Sequence, residues 1–232
     1  MKHKKTINLI YKPHNGQALV HKSNARFKCI ACGRRWGKTH SAFMELLVSS
    51  LRKRGRYRWI APVDQELAPV FKILYETWRE NPDLVKKIRM GTKIYLYIEL
   101  INGSKIWFHS ADRSNSLREG LDGVVIDEAA YIKRETWQAE IRPALKEKKG
   151  WAILISTPNG RNWFYELYLK GQDRETWPEY ESWNFSSYQN TKQYGGFLDK
   201  EEIDAAASSL PAQIRRQEIY AEFLEGEGTF LR

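Results

Sequence analysis

The segment Cys32–His40, CGRRWGKTH, has the residue types of a loop that binds phosphate groups. Gly37, Lys38 and Thr39 are the three residues that close such a loop at the start of a helix. In that arrangement Lys38 reaches the β- and γ-phosphates of a nucleotide, and the Thr39 hydroxyl holds Mg²⁺. The first glycine of the pattern comes one position late, at Gly33. A strand-to-helix turn with a chance Gly-Lys-Thr is the alternative interpretation.

A second segment, Gly123–Ala130, reads as a buried strand that ends in two acids, Asp127 and Glu128. Ligands of α/β proteins bind at the carboxyl ends of the sheet strands, where these acids would lie. Asp127 is therefore predicted to bind Mg²⁺, directly or through water, and Glu128 to polarise an attacking water. Taken alone, the pair could equally cap the next helix.

The third segment, Ile153–Arg161, is an apolar strand that leads into Ser156, Thr157 and Asn159. These side chains are predicted at the same edge of the sheet, where they could sense the γ-phosphate and relay its loss. The sequence Pro-Asn-Gly also favours an ordinary turn. Both interpretations stand, because a sensor needs such a turn.

The elements that must position these residues follow from the pattern of apolar residues and turns. Strands are predicted from Arg26 onward, over Arg56–Ala61, on both sides of Asn102-Gly103, over Val124–Ile126 and over Trp151–Ile155. Helices are predicted after Thr39, through Leu67 to Trp78, after Lys133 and over most of Asp199–Phe223. The alternation predicts an α/β fold with a central, mostly parallel sheet flanked by helices, plus a small hairpin.

Length and charge restrict the class of protein further. The 232 residues suit one domain, predicted over 26–232 after a basic extension over 1–25 with a turn at Asn15-Gly16. The formal net charge is +10, and residues 1–58 hold 15 lysines and arginines against one acid, Glu45, which favours a polyanionic partner. No apolar run is long enough for a membrane span or a secretory signal, so a cytosolic protein is expected.

Two cysteines, Cys29 and Cys32, exclude a disulfide framework and a four-cysteine zinc site. Their C-x-x-C spacing permits a redox interpretation. Because Cys29 falls inside a predicted strand, a small core residue is favoured instead.

The order GRRWGKT, VVIDEAAYI and ISTPNG, with QALVHKSNARF upstream, resembles the ATPase domain of the large terminase subunit of tailed bacteriophages. In that family the domain hydrolyses ATP to push double-stranded DNA into an empty capsid. The resemblance runs from Gln17 to about Phe223. It implies a P-loop NTPase of the ASCE type, in which one extra strand separates the phosphate-loop strand from the Asp-Glu strand.

The same resemblance implies further roles. Gln17 matches the family's adenine-contacting glutamine, and the loop residues Gly33, Arg34, Arg35, Trp36 and Gly37 are expected to bind ATP with Lys38 and Thr39. Ser156 and Thr157, with Pro158, resemble the coupling motif. Arg118 is favoured as an arginine supplied to a neighbouring subunit and Arg34 as a contact to phosphate within the same subunit, and the reverse assignment stays open.

Partners and place follow from the resemblance as well. It implies three kinds of partner: double-stranded DNA, a portal protein and a small terminase subunit. It also implies a ring of identical subunits during packaging, with a monomer possible in isolation, and no membrane. The expected location is the host cytoplasm and, during packaging, the portal vertex. The nuclease domain found in full-length members of the family is not expected within these residues. The alternatives are a DNA helicase or translocase of the P-loop class, and a basic nucleic-acid-binding module that does not hydrolyse ATP.

Overall fold

The structure, a computed structural model, describes residues 7–90, 96–112 and 119–225. Its centre is one sheet of eight strands in the order β3-β4-β5-β2-β6-β7-β1-β8. The strands are β1 (Phe27–Cys32), β2 (Arg56–Ala61), β3 (Val85–Met90), β4 (Leu96–Leu100), β5 (Lys105–Ser110), β6 (Gly123–Asp127), β7 (Trp151–Ser156) and β8 (Tyr180–Phe185). The helices are α1 (Asn15–Lys22), α2 (Lys38–Arg52), α3 (Ala68–Glu80), α4 (Arg142–Lys148), α5 (Trp163–Gln172), α6 (Lys200–Ser208) and α7 (Ala212–Glu218).

Strand β7 lies between β1, which leads into the glycine-rich loop, and β6, which ends in the acids. β7 pairs in parallel with both of them. All three strands therefore deliver their carboxyl ends, and the segments that follow, to one edge of the sheet. This is the predicted extra strand, and the chain has the P-loop fold of the ASCE type.

The sheet is parallel from β5 to β8 and antiparallel at its other end. Asn102-Gly103 joins β4 to β5 as predicted. Gly103 has a φ of +83° and donates its N–H to the carbonyl of Leu100 at 2.8 Å, which closes the tight turn. A third antiparallel strand, β3, extends this hairpin and was not predicted.

Two apolar layers enclose the sheet. On one face α2 and α3 pack with side chains such as Trp59, Ile98 and Phe108. On the other face a wide helical turn over Thr136–Ile141, α4 and α5 pack on β1, β6 and β7. Cys29 and Cys32 are both buried free thiols, and burial raises the pKa of each well above its usual range, which supports the core interpretation.

The described part of the basic extension differs from the sequence-based expectation. Asn15-Gly16 begins helix α1 instead of forming a turn, because the side chain of His14 caps that helix in a capping box with Gln17. Val20 is fully buried, and α1 packs on α2. Residues from 14 onward thus belong to the packed body of the molecule.

Two other elements were not predicted, namely α5 and β8, and the helical C-terminal stretch is divided at Leu210-Pro211 into α6 and α7. Strand β8 matters for the site because it pairs with β1 and aligns Cys32 with Phe185. Within the described ranges, no helix combines the length and the apolar character needed to cross a membrane.

Candidate nucleotide site

The loop between β1 and α2 is held open by hydrogen bonds from outside it. Four successive carbonyl oxygens each accept a bond from a distant side chain. The pairs are Ser187 Oγ to the Arg34 carbonyl at 2.7 Å, Asn190 Nδ2 to Arg35 at 2.7 Å, His14 Nε2 to Trp36 at 2.9 Å and Gln17 Nε2 to Gly37 at 3.1 Å. Gly33, Arg34 and Trp36 donate their own N–H groups to protein carbonyls, at 2.8, 2.7 and 3.4 Å, so the N–H groups of Arg35 and Gly37 are those left for an anion.

Backbone conformation completes this arrangement. Arg35 and Gly37 have φ values of 59° and 92°, and Lys38 is the first residue of α2. Left-handed residues in a turn gather successive N–H groups into an anion-binding concavity, and the N-terminus of a helix adds its dipole. The loop therefore has the geometry predicted for phosphate binding.

Gly33 stands one position late because the chain there has no room for a side chain. A Cβ on Gly33 would lie 2.5 Å from the Ile219 carbonyl oxygen and 2.6 Å from Ser187 Oγ. Cys32 meanwhile remains in β1, paired with β8. The displaced glycine is thus explained by the close approach of the C-terminal segment.

The Trp36 side chain is a core residue. It is fully buried, stacks on Phe185 with ring centroids 4.7 Å apart and meets His14 edge-on at 4.8 Å. Such aromatic contacts contribute about 0.5–1.5 kcal/mol each. Any contact of Trp36 with a nucleotide is therefore limited to its backbone, and its ring supports the loop from below.

Lys38 and the two acids meet at the carboxyl edge of the sheet. Lys38 Nζ lies 3.0 Å from Glu128 Oε1. Burial acts to lower the pKa of Lys38, but the carboxylates of Glu128 and Asp127 outweigh it and raise that pKa, so the ammonium stays charged. Thr39 follows in the first turn of α2. The structure brings Lys38, Asp127 and Glu128 together, and it places Thr39 directly after Lys38 in the helix.

The other oxygen of Glu128 faces the end of β7. Glu128 Oε2 lies 3.1 Å from Ser156 Oγ and 3.4 Å from the Thr157 backbone nitrogen. Glu128 itself adopts a left-handed conformation with a φ of 47°, and its N–H donates to Asp127 Oδ1 at 3.0 Å. This unusual backbone is stabilised by bonds at both carboxylate oxygens, as is typical of functional positions. Ser156 and Thr157, the predicted coupling residues, thus contact Glu128 directly.

Asn159 lies just beyond these contacts, and Gly160 turns the chain with a φ of 64°. Asn159 Oδ1 is buried and has no hydrogen-bond partner among the described residues. An unpaired buried oxygen of this kind is available to a ligand or to a moved side chain. Its predicted role as a sensor remains a prediction.

Asp127 is almost completely buried. Burial, and then repulsion by Glu128, raise its pKa to about 7, although Lys38 opposes the shift. A carboxyl group with such a pKa binds a proton more tightly in the folded than in the unfolded protein.

We expect the free energy of unfolding of the metal-free protein to fall as the pH rises from about 4 to about 7, by up to about 4 kcal/mol, and then to level off. Asp127→Asn should remove this decrease. Urea titrations at several pH values in EDTA measure it. If the wild type and the variant showed the same pH dependence of stability, Asp127 would not be the group with the raised pKa.

Arg34 is directed to the C-terminal segment. Its guanidinium forms an ion pair with the carboxylate of Glu218, and its backbone N–H donates to the Glu218 carbonyl at 2.7 Å. The Arg34 side chain is 63% exposed, so it is free to turn.

Sequence reasoning missed His14, which bonds the Trp36 carbonyl, and three residues that reach the loop from the C-terminal part of the chain. They are Ser187, Asn190 and Glu218, which lie far from the loop along the chain and carry no local signal that points to it. Of the two predicted arginines, Arg34 is at the loop, whereas Arg118 falls outside the described residues.

Comparison with known proteins shows which proteins this chain resembles. The family model described as phage terminase large subunit matches residues 24–218. The terminase large subunit of Thermus phage G20c is 31% identical over 207 residues, which cover 77% of this chain and 43% of that protein. The corresponding protein of Escherichia phage T5 is 30% identical over 210 residues, covering 88% and 45%. The chain thus spans less than half the length of these relatives.

Solved structures show the same fold. The large terminase ATPase domain of Thermus phage P74-26 superposes with a TM-score of 0.72 at 27% identity, covering 92% of this chain and 95% of that one. The large terminase of another thermophilic bacteriophage gives a TM-score of 0.69 at 14% identity, covering 92% and 54%. The second likeness concerns the fold alone.

Proposed function

The chain belongs to the phage terminase large subunit family, and from that premise we propose that it is the ATP-hydrolysing motor domain that drives double-stranded DNA into a procapsid. The observation that carries the proposal is a loop whose four carbonyls are bonded by side chains of the protein, followed directly by the Lys38–Glu128 ion pair. The loop would bind the phosphates of a nucleotide, and the ion pair would place the Glu128 carboxylate, a base, at the terminal phosphate. Their combination is the minimum for phosphoryl transfer to water.

The residues at the sheet edge also suit Mg²⁺. Mg²⁺ is usually held by one or two carboxylates, with hydroxyl, water and substrate phosphate oxygens completing its ligands. The buried Asp127 carboxyl and the Thr39 hydroxyl supply such oxygens beside the loop. A bound cation would also favour the ionised form of Asp127, whose pKa is raised to about 7 by burial and by repulsion from Glu128. When bound, Mg²⁺ would neutralise charge on the β- and γ-phosphates.

Glu128 is the candidate base. In the structure its carboxylate is bonded on one side to Lys38 and on the other to the end of β7. A triphosphate in the loop draws the Lys38 ammonium toward its own oxygens, which frees Glu128 Oε1 to accept a proton from a water molecule. Ser156 and Thr157 then hold Oε2 and fix the direction of the freed oxygen. ATP binding and activation of the base are thereby linked.

Tyr131 interacts electrostatically with this base and with Glu218 of the C-terminal segment. Burial raises the pKa of Tyr131, a hydrogen bond with Thr157 opposes the shift, and the carboxylates of Glu218 and Glu128 add to it. The Tyr131 hydroxyl therefore interacts with both carboxylates, that of Glu128 and that of Glu218. We infer that a change at Thr157 on loss of the γ-phosphate reaches Glu218 through Tyr131, and this gives the predicted coupling role of the β7 end a physical path.

Arg34 supplies the remaining charge. To contact the γ-phosphate within the same subunit, its guanidinium must leave Glu218, and the high exposure of the side chain permits this movement. The backbone bond from Arg34 to Glu218 keeps the loop in place meanwhile. Glu218 thus competes with ATP for Arg34.

Glu218→Gln should tighten ATP binding by about 3- to 10-fold and leave ADP binding nearly unchanged, because the weakened pair releases Arg34 to the γ-phosphate. Titration calorimetry with both nucleotides measures this. Glu222→Gln, which alters an exposed pair with Arg216, is the matched control. Equal changes for ATP and ADP, or weaker ATP binding, would refute the role.

Subunit and partner assignments extend the proposal. The family suggests a ring of subunits in which an arginine such as Arg118 is supplied to a neighbour. It also suggests a portal protein and a small terminase subunit as partners, and a location in the host cytoplasm and at the portal vertex. The adenine contact of Gln17 belongs here as well. Its amide already bonds the Gly37 carbonyl and the His14 N–H, so a shift of Gln17 on adenine binding would be felt by the loop.

The proposal is tested by nucleotide binding and phosphate release with Mg²⁺ or EDTA, and with or without duplex DNA. We expect ATP to bind and phosphate release to require Mg²⁺. The rate of release per molecule of protein should rise with protein concentration, because an arginine of a neighbouring subunit contributes. Absence of ATP binding at millimolar nucleotide would overturn the proposal.

A further inference from the structure

One face of the antiparallel end of the sheet carries no helix among the described residues. Strands β3, β4 and β5 turn their apolar side chains, including Ile98, Leu100 and Ile106, toward α3 in the first core. The second core, on the opposite side, contains no residue of the described parts of these three strands. The side chains that alternate with the buried ones are therefore open to a partner.

The residues of this open face form two rows across the strands. Arg89 pairs with Tyr97, and Tyr97 with Trp107; in the next row Lys87 pairs with Glu99, and Glu99 with Lys105. Directly opposed residues of antiparallel strands share a face. We call Lys87, Arg89, Tyr97, Glu99, Lys105 and Trp107 the open face.

The open face carries three cations, Lys87, Arg89 and Lys105, against one acid, so its net charge is positive. Its one acid, Glu99, accepts a hydrogen bond from the Tyr97 hydroxyl at 3.2 Å and lies 3.6 Å from Lys86 Nζ. No ion pair within the described residues involves Lys87, Arg89 or Lys105. Lys87 and Arg89 are both exposed, on the outermost strand of the sheet. Unpaired cations on an exposed edge are available to external phosphates.

A groove next to the open face differs from it in containing several acids. It encloses about 540 Å³ at the amino ends of β2, β5 and β6, and its lining includes acids as well as cations. Arg56 pairs there with Glu119, and the adjacent Lys53 pairs with Asp122. Lys105 of the open face also lines this groove, whereas Lys87 and Arg89, on the outermost strand, lie outside it.

The aromatic residues of the open face are fixed in place. Tyr97 and Trp107 are half-buried, with ring centroids 5.4 Å apart and ring planes inclined by 50°. The guanidinium of Arg58 lies 5.6 Å from the centre of the Trp107 ring. Rings packed in this way make a firm surface but do not present free flat sides on which unpaired bases could stack. Lys87 and Arg89 are more exposed than these two rings, so a polyanion that approaches the face meets their charges.

We propose that the open face binds the phosphate backbone of duplex DNA, with Lys87, Arg89 and Lys105 as the contacting groups. The proposal rests on the proposed function for the identity of the polyanion, but its geometry is independent of the nucleotide site. Because the contacts are to phosphates, binding should depend on salt and not on base sequence.

The test is fluorescence anisotropy with a labelled duplex of about 30 base pairs, long enough to span several phosphate contacts, without nucleotide and over a range of salt concentrations. Lys87→Glu/Arg89→Glu is compared with Lys22→Glu/Lys72→Glu, which makes the same change in net charge at exposed lysines on α1 and α3. We expect the open-face variant to weaken duplex binding by at least about tenfold at about 0.1 M salt and to lower the salt slope by about 2. The control should change the affinity much less.

Phosphate release without DNA, which should be unchanged in both variants, reports whether the nucleotide site is intact. Equal loss of DNA binding in the two variants would overturn the proposal, since it would then reflect net charge alone. A loss confined to single-stranded DNA of the same length, or no duplex binding by the wild type at low salt, would also overturn it. If the wild type released no phosphate at all, that result would instead count against the proposed function.

Discussion

Glu128→Gln is expected to lower the rate of phosphate release from ATP by at least about 10²-fold while ATP still binds. Glutamine keeps the shape of the side chain and its contacts with Ser156 and Thr157, but it cannot accept a proton from water. Binding should be retained or slightly tightened, because Lys38 loses its carboxylate partner and is free for the phosphates.

Measurement requires both quantities on one sample: nucleotide affinity by calorimetry and phosphate release by a coupled assay. Glu135→Gln, the same change on the helical segment that follows, is the control. If Glu128→Gln released phosphate at the wild-type rate, Glu128 would not be the base. If it also lost ATP binding, the variant would have disturbed the loop.

Lys38→Ala is expected to weaken ATP binding by about 10²-fold, because a charge-assisted contact to the β- and γ-phosphates is lost. It should also destabilise the protein. Asp127 and Glu128 would then stand together at a largely buried site without a cation, at a cost on the order of 3–5 kcal/mol. Nucleotide titrations and urea unfolding separate the two effects.

The double variant Lys38→Ala/Glu128→Gln distinguishes the two roles of the lysine. Removing the negative charge of Glu128 should restore much of the stability, since the acids no longer repel each other, but should not restore ATP binding. Recovery of both would mean that Lys38 acts only as a structural partner of Glu128. Wild-type affinity in Lys38→Ala would exclude the loop as the phosphate site.

The chemistry of the site could be predicted from local sequence because each component is contiguous. Gly37-Lys38-Thr39, Asp127-Glu128 and Ser156-Thr157 each end one parallel strand or begin one helix, and parallel strands bring such ends together. The hairpin at Asn102-Gly103 was predictable for the same reason, since a two-residue turn carries its own signal.

The supports of the loop could not be predicted, because they are tertiary. Ser187, Asn190 and Glu218 reach the loop only because β8 pairs with β1, and β8 itself, with the pattern YESWNF, gives no clear alternation. The late glycine at Gly33 was a sign of crowding, but its partners could not be identified from the sequence. Trp36 shows the opposite case, a residue inside a functional motif whose ring belongs to the core.

Helix α1 illustrates how capping overrides a turn signal. Asn15-Gly16 favours a turn locally, yet the capping box of His14 and Gln17 and the burial of Val20 together stabilise a helix. Both capping side chains also bond the phosphate loop. Helix α1 is therefore part of the site and not an extension beside it.

The most direct test of the central claim is single-turnover phosphate release, with protein in excess over Mg²⁺-ATP, in the wild type and in Glu128→Gln. Under these conditions product release does not limit the signal. We predict phosphate release by the wild type that accelerates with protein concentration, and almost none by a variant that binds the same ATP. Bound ATP that both proteins hydrolyse equally, or that neither hydrolyses at any protein concentration, would contradict the assignment of Glu128 as the base of an ATPase.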